Sequence, residues 1–157
     1  MTIRLYQETD RQTLKAITAI CFDGVSIDQN IENRFGVIDG KSWQWRKVRH
    51  IDADVEANPS GVFVAEEGGC VLGYITTRVD QGSKIGGIPN IAVLPDHQAR
   101  GVGKALMNHA LTYFREQGMA FAKIETLDQN QIGSVFYPST GFEEVARQIH
   151  YVLPLER

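Results

Sequence analysis

One stretch constrains this chain more than any other: Val93-Leu94-Pro95-Asp96-His97-Gln98-Ala99-Arg100-Gly101-Val102-Gly103-Lys104-Ala105. An apolar run from Ile88 to Leu94 stops at a proline, and a polar turn follows. Val102, Leu106, Ala110 and Tyr113/Phe114 then recur at helical spacing. The first N–H groups of a helix lack backbone partners, and the helix dipole adds partial positive charge there. Glycines at 101 and 103 remove Cβ atoms, so ligand oxygens can reach the backbone. The stretch therefore reads as a cradle for phosphate or pyrophosphate.

The rest of the chain must supply a sheet for that strand. Thr2 to Tyr6 alternates as a short strand, and Thr9 or Asp10 can cap a helix with Leu14, Ile17, Ile20 and Cys21 on one face. Ile27, Ile31, Phe35 and Ile38 fit a second helix, ended by Asp39-Gly40. Lys41 to Ala57 fits a third, with Trp45, Val48, Ile51 and Val55 as its apolar face. Its charges run basic then acidic, the reverse of what the helix dipole favours. Val62 to Ala65 and Cys70 to Val79 form a hairpin across Glu66-Glu67-Gly68-Gly69. A strand from about Lys84 to Val93 carries Pro89, which removes a ladder donor and implies an edge or bulge. Beyond the helix at 101–117 come a strand at 121–127, a helix at 130–138, and strands at 142–146 and 149–153. This order reads as α+β or α/β with a mixed sheet.

Composition narrows the function classes. A 157-residue chain is long enough for one domain with a real core. Its net charge of -3 provides no basic field for nucleic acid or an anionic membrane. No apolar run approaches the ~20 residues of a membrane span, and the polar N-terminus is no signal peptide. Cys21 and Cys70, without a C-x-x-C, read as reduced thiols and favour a cytoplasmic setting. His97 and His109 have no metal-ligand spacing, so no metal is indicated. No linker or repeat divides the chain, and a single domain over 1–157 is expected.

Three phosphate-binding patterns can be tested against the letters. The nucleotide P-loop needs a glycine where Gln98 stands and Ser or Thr where Ala105 stands. The dinucleotide fingerprint needs a third glycine where Leu106 stands. The third pattern fits. Gln98-Ala99-Arg100-Gly101-Val102-Gly103 matches Q/R-x-x-G-x-G/A, the acyl-coenzyme A signature of the GNAT superfamily of N-acetyltransferases. Asn130-x-x-Gly133-x-x-Phe136-Tyr137-x-x-x-Gly141-Phe142 resembles that family's second signature, and Asn90 to Pro95 its central strand. The resemblance covers about Ala65 to Leu153.

What the resemblance implies can be placed on residues. The fold would be a mixed, mostly antiparallel sheet of six to seven strands, splayed at its centre, with about four helices. Residues 61–157 would form the acyl-coenzyme A core and 1–60 the acceptor side. The pyrophosphate would lie on Gln98, Ala99, Arg100, Gly101, Val102, Gly103 and Lys104. The pantetheine arm would run along Ile91, Ala92 and Val93, with the Val93 N–H as donor to the thioester oxygen. Asn130 and Phe136 would complete the cofactor contacts. Tyr137 matches the tyrosine that protonates the departing sulfur in similar enzymes; otherwise it is a packing aromatic. Pro138 after it departs from the family pattern and would end the helix early. No carboxylate stands at Ile88, Pro89 or Asn90, where many members carry a glutamate. Glu125 on the next strand is then the side-chain candidate for the base, against a solvated residue paired with Lys123 or a water chain on backbone carbonyls.

The reaction implied is direct transfer from acetyl-CoA to an amine of a small molecule or peptide, in a ternary complex. The other class is an acyl-CoA-binding sensor or interaction module without catalysis. The region 26–54 holds Phe35, Trp43, Trp45, Glu32 and Asp39, a set suited to a cationic amine. Ordinary amphipathic packing explains the same letters. A homodimer is compatible with all of this.

Overall fold

The computed structural model describes residues 1–155. Its elements, in order, are β1 (Thr2–Leu5), α1 (Arg11–Cys21), α2 (Ile27–Phe35), α3 (Trp43–Ala57), β2 (Phe63–Glu67), β3 (Cys70–Ile75), β4 (Ile85–Ile88), β5 (Ile91–Val93), α4 (Val102–Glu116), β6 (Phe121–Ile124) and α5 (Gln131–Ser139). Strands β1, β2, β3 and β5 form an antiparallel sheet in that order, while β4 and β6 pair in parallel as a second sheet.

The alternation in β2 decides the layering. Phe63 and Ala65 face a cluster built with Leu72, Ile75, Ile88 and the α4 residues Val102, Leu106, Met107, Ala110 and Phe114. Val62 and Val64 face the opposite cluster, with Leu14 and Ile17 of α1, Ile51 and Val55 of α3, and Tyr74. The sheet is thus sandwiched between α4 on one side and α1 with α3 on the other. Side chains that alternate along a strand bury both faces only if each face is covered, which is why these strands are nearly continuously apolar.

Several sequence expectations change here. The strand expected from Lys84 to Val93 is two strands, β4 and β5, interrupted at Pro89-Asn90. Thr76 N–H donates to the Asn90 carbonyl at 2.9 Å, so the interruption is pinned to the β3 side. Helix α3 buries Trp43, Lys47, Ile51, Asp54 and Val55, whereas Trp45 is exposed. Its buried face is rotated from the expected one because two charged side chains find partners inside. On α1, Thr18 is buried and Ile20 is exposed, the Thr18 hydroxyl lying 2.6 Å from the Tyr74 hydroxyl. The reversed charge order of α3 is resolved by pairing: Asp52 takes Arg11 at 3.0 Å and Lys15 at 2.7 Å. Helix α5 continues one residue past Pro138, which sits in its last turn and costs the helix one N–H donor. The strands expected at 142–146 and 149–153 do not form. Five α-helices occur among the described residues, with 27–35 and 43–57 separate as the letters suggest.

Candidate active site

The geometry of the site starts from the interruption in the central strand. Leu94 N–H donates to the Leu72 carbonyl at 2.9 Å, and the Asn90 carbonyl accepts from Thr76. In an antiparallel ladder alternate residues point their N–H and C=O to opposite sides. Asn90, Ala92 and Leu94 therefore face β3, and Ile91 and Val93 turn their backbone groups the other way. On that side β6 has already ended at Ile124, its last pair being Ile88 with Ile124. The sheet splits there, and β5 pairs with β3 alone among the described strands.

Next to this open edge lies the start of α4. A 3-10 turn, Pro95–His97, leads to Gln98, and Ala99 and Gly101 then take left-handed backbone angles, φ 60 and 83. Gly101 is the N-cap and offers no side-chain acceptor, so the first N–H groups of α4 face outward without a cap. Val102 is buried against the core and holds the turn down. A Cβ built on Gly103 would meet the Phe136 ring at 3.3 Å and Val93 Cγ2 at 3.8 Å. That contact joins three sequence-predicted residues, Val93, Gly103 and Phe136, in one place. It also shows how little room a side chain would have at the mouth of the cradle.

The side chains around the cradle are partly engaged. Gln98 Nε2 donates to the Val93 carbonyl at 3.0 Å, and the Cys21 thiol donates to the same oxygen at 3.2 Å. Burial pushes the Cys21 thiol up to about 11. Arg100 lies against His97 Nδ1 at 2.7 Å and donates to Glu67 at 3.1 Å. Lys104 is exposed and makes no ion pair among the described residues.

Tyr137 packs edge-on to Phe136, with ring centroids 5.5 Å apart, and against Phe142 at 6.3 Å. Its hydroxyl makes no hydrogen bond within the described residues, and burial pushes it up to about 12. Asn130 caps α5: its Oδ1 accepts from Gly133 N–H at 3.0 Å and its Nδ2 donates to Thr126 at 2.9 Å. A Cβ at Gly133 would lie 2.8 Å from Asn130 Nδ2 and 2.9 Å from the Tyr137 ring. Glycine thus lets the cap and the tyrosine close over the first turn of α5. Glu125, just beyond β6, is exposed and pairs with Lys123 at 3.3 Å.

Three features escaped the sequence reading. The first is a buried polar cluster at the split. Lys47 Nζ donates to Asn90 Oδ1 at 2.7 Å, and Asn90 Nδ2 donates to Asp54 Oδ2 at 2.7 Å. Asp54 also accepts from Thr76 at 2.9 Å and from Arg78 at 3.0 Å. Burial lowers the Lys47 pKa from its ordinary value, and its ammonium lies 4.0 Å from the centre of the Phe22 ring. The signal was present: 43, 47, 51 and 54/55 share one helix face, and two of those positions are charged. The second is the Cys21 thiol at Val93. The third is Gln129, whose amide pairs with Asn30 at 2.9 and 3.1 Å and donates to the Gly24 carbonyl at 2.8 Å. It ties the start of α2 to the loop before α5.

On the proposed acceptor side, Trp43 is buried, and its backbone N–H donates to the Glu32 carboxylate at 3.0 Å. The exposed ring of Trp45 is already covered by this chain's own cations, Lys41 at 5.1 Å, Arg46 at 5.6 Å and Arg49 at 4.4 Å. No cluster of metal-ligand residues occurs among the described residues.

Known proteins resemble this chain in sequence or in fold. A mycothiol acetyltransferase of Thermomonospora curvata is 27% identical over 113 residues, covering 72% of this chain and 38% of that protein. The chain thus spans little more than a third of that relative's length. Among solved structures, a PaiA N-acetyltransferase from Thermoplasma acidophilum in complex with coenzyme A superposes with a TM-score of 0.72 at 18% identity, covering 90% of this chain and 89% of that one. The aminoglycoside N-acetyltransferase AAC(6')-Iy in complex with CoA gives a TM-score of 0.66 at 20% identity, covering 98% and 99%. The profile described as the acetyltransferase (GNAT) family matches residues 27–142. That match spans most of the chain, the cradle and the second signature included: this protein belongs to the GNAT acetyltransferase family.

Proposed function

We propose that the chain transfers an acetyl group from acetyl-CoA to a primary amine of a small molecule or peptide. The observation that carries this reading is the junction of an unpaired strand edge, Ile91–Val93, with an uncapped helix start at Gly101–Lys104. The two offer donors for an extended amide chain and for a diphosphate, and coenzyme A carries both. Residues 98–104 bind the pyrophosphate through backbone N–H groups. Arg100 exchanges Glu67 for phosphate, and Lys104 adds a second cation.

Acetyl-CoA supplies an activated acyl group, so the residues need only orient, stabilise charge and manage protons. The neutral amine attacks the thioester carbon, and the Val93 N–H donates to the oxygen as it gains negative charge. On collapse the C–S bond breaks, the sulfur takes a proton, and the amide nitrogen loses one. A hydroxyl pushed up to about 12 stays protonated across the working pH range. Passing its proton fully to a thiolate of ordinary pKa is uphill. Tyr137 therefore serves by donating a hydrogen bond to the departing sulfur, while the proton that the sulfur keeps comes from the positively charged nitrogen of the tetrahedral intermediate. Glu125 or water takes up the earlier proton, the one that an ammonium acceptor sheds before it attacks.

Release of free thiol from acetyl-CoA, measured against a panel of amines and peptides, tests the reading. Turnover with one acceptor class is expected. Tight cofactor binding with no turnover on any acceptor would sink it in favour of an acyl-CoA-binding module.

A further inference from the structure

The carbonyl of Val93 is engaged twice, although it stands on the open side of β5. The Leu94 N–H of the same peptide donates to Leu72 on β3, so the carbonyl points the opposite way, into the split. Gln98 Nε2 donates to its oxygen at 3.0 Å and the Cys21 thiol at 3.2 Å. A carbonyl oxygen has two lone pairs, and here both are taken.

The two donors are held with unequal firmness. Cys21 is the last residue of α1 and packs, half-buried, against the cluster that holds Leu14, Ile17 and Tyr74. Its thiol is fixed by a helix that lies on the sheet. Gln98 is exposed, between the turn at Pro95–His97 and the left-handed Ala99. The bond to Val93 is the one hydrogen bond its side chain makes among the described residues. Rotation about its own side-chain bonds returns the amide to water without moving the core. Of the pair, Gln98 is the donor that can leave.

The open edge requires such a departure. A chain that adds to β5 as a strand offers N–H and C=O groups in alternation, and an N–H must meet the Val93 oxygen. In coenzyme A the pantetheine arm carries two secondary amides, and the nucleotide half carries the pyrophosphate. An amide arriving at Val93 finds the oxygen already occupied by another amide.

We propose that the Gln98 side chain is a placeholder for the pantetheine arm, closing the Val93 carbonyl while the slot is empty and swinging out when the arm enters. The exchange is amide for amide, so one hydrogen bond is made for the one broken. An arm without an N–H displaces Gln98 and leaves the oxygen one donor short. The device therefore favours carriers whose arm is a chain of amides. One residue meets both halves of the cofactor, its main chain at the diphosphate and its side chain at the arm. The proposal rests on the acetyl-CoA reading and concerns the Gln98 side chain alone.

The test compares the full chain with its Gln98→Ala variant by calorimetry, using coenzyme A and 3'-phospho-ADP, the nucleotide half of coenzyme A without the arm. The variant has no amide to displace, so coenzyme A should bind about two- to ten-fold more tightly while 3'-phospho-ADP binds as before. Coenzyme A affinity that stays the same or falls overturns the proposal. So does a change shared by both ligands, which would make the side chain a support of the cradle. A second measurement follows the side-chain NH2 resonance of Gln98, assigned by its absence from the variant. It should reach the position of a solvated amide with coenzyme A bound and keep its bonded position with 3'-phospho-ADP. A resonance that stays at the bonded position with coenzyme A present contradicts the exchange. If the unaltered chain binds neither ligand, the acetyl-CoA reading itself falls and takes the placeholder with it.

Discussion

The amino-terminal layer and the carboxy-terminal segment break the usual distribution of residues in opposite senses. Helix α3 buries Lys47 and Asp54, charged groups that normally face water, while 143–155 exposes the apolar face of a strand. Both cases follow one rule: the local pattern is completed by a partner far away in sequence. For α3 the partner is inside the chain, the Asn90 amide at the strand interruption. For the apolar side chains of the carboxy-terminal segment the described residues provide no such partner, although Arg147 reaches Asp128 at 3.6 Å. Buried charge thus marks a finished contact, and exposed alternation marks an unfinished one.

The contrast can be broken first at the cradle lying between the two regions. Gly103→Asp places a carboxylate against Phe136 and Val93 at the positive end of α4. Coenzyme A affinity should fall at least 100-fold by calorimetry, with the circular dichroism unchanged. Retained affinity would move the pyrophosphate elsewhere. Next is the finished contact itself. Asn90→Leu leaves Lys47 and Asp54 without their bridge, and should cost about 3–5 kcal/mol in denaturant unfolding. A loss under 1 kcal/mol would mean that the cluster is wet and the comparison mistaken. Tyr137→Phe removes a hydroxyl with no internal partner, so stability should hold while kcat falls about 10- to 100-fold. Unchanged kcat would leave Tyr137 as packing alone.

Smaller effects sharpen the same contrast. Arg100→Ala breaks a half-exposed pair with Glu67, so stability should change by under about 1 kcal/mol. Coenzyme A should bind several-fold more weakly, with a shallower salt dependence. The smallest effect concerns Cys21, whose folded pKa of about 11 lies above its ordinary 9.0. Above pH 9 the unfolded thiol ionises before the folded one. The stabilisation it gives is therefore complete below pH 9 and is lost as pH rises through about 11. Cys21→Ala should flatten that alkaline loss in thermal melts, and an identical slope would place the thiol in water.

Much of the fold was legible because its signals are local. The hairpin turn at Glu66–Gly69 acts within a few residues. The cradle was legible because Gly101 and Gly103 stand at fixed offsets from the strand end. Pro89 announced the split strand through its missing donor. What stayed hidden depends on partners distant in sequence. Trp43 and Trp45 fall on opposite faces of one helix, and the pairing of Lys47 with Asn90, 43 residues on, goes with the face that carries Trp43 inward. The expected strands at 142–146 and 149–153 had the right alternation, but alternation alone cannot name the edge that a strand joins. Asn130 shows a third limit: its letter matched a family signature, whereas its amide is also spent on capping α5.

The cluster around Asn90 also balances its own charge. Two cations, Lys47 and Arg78, stand with two carboxylates, Asp54 on the amide and Asp28 near enough to act on Lys47. The central strand thus breaks its ladder without leaving an uncompensated charge at its root.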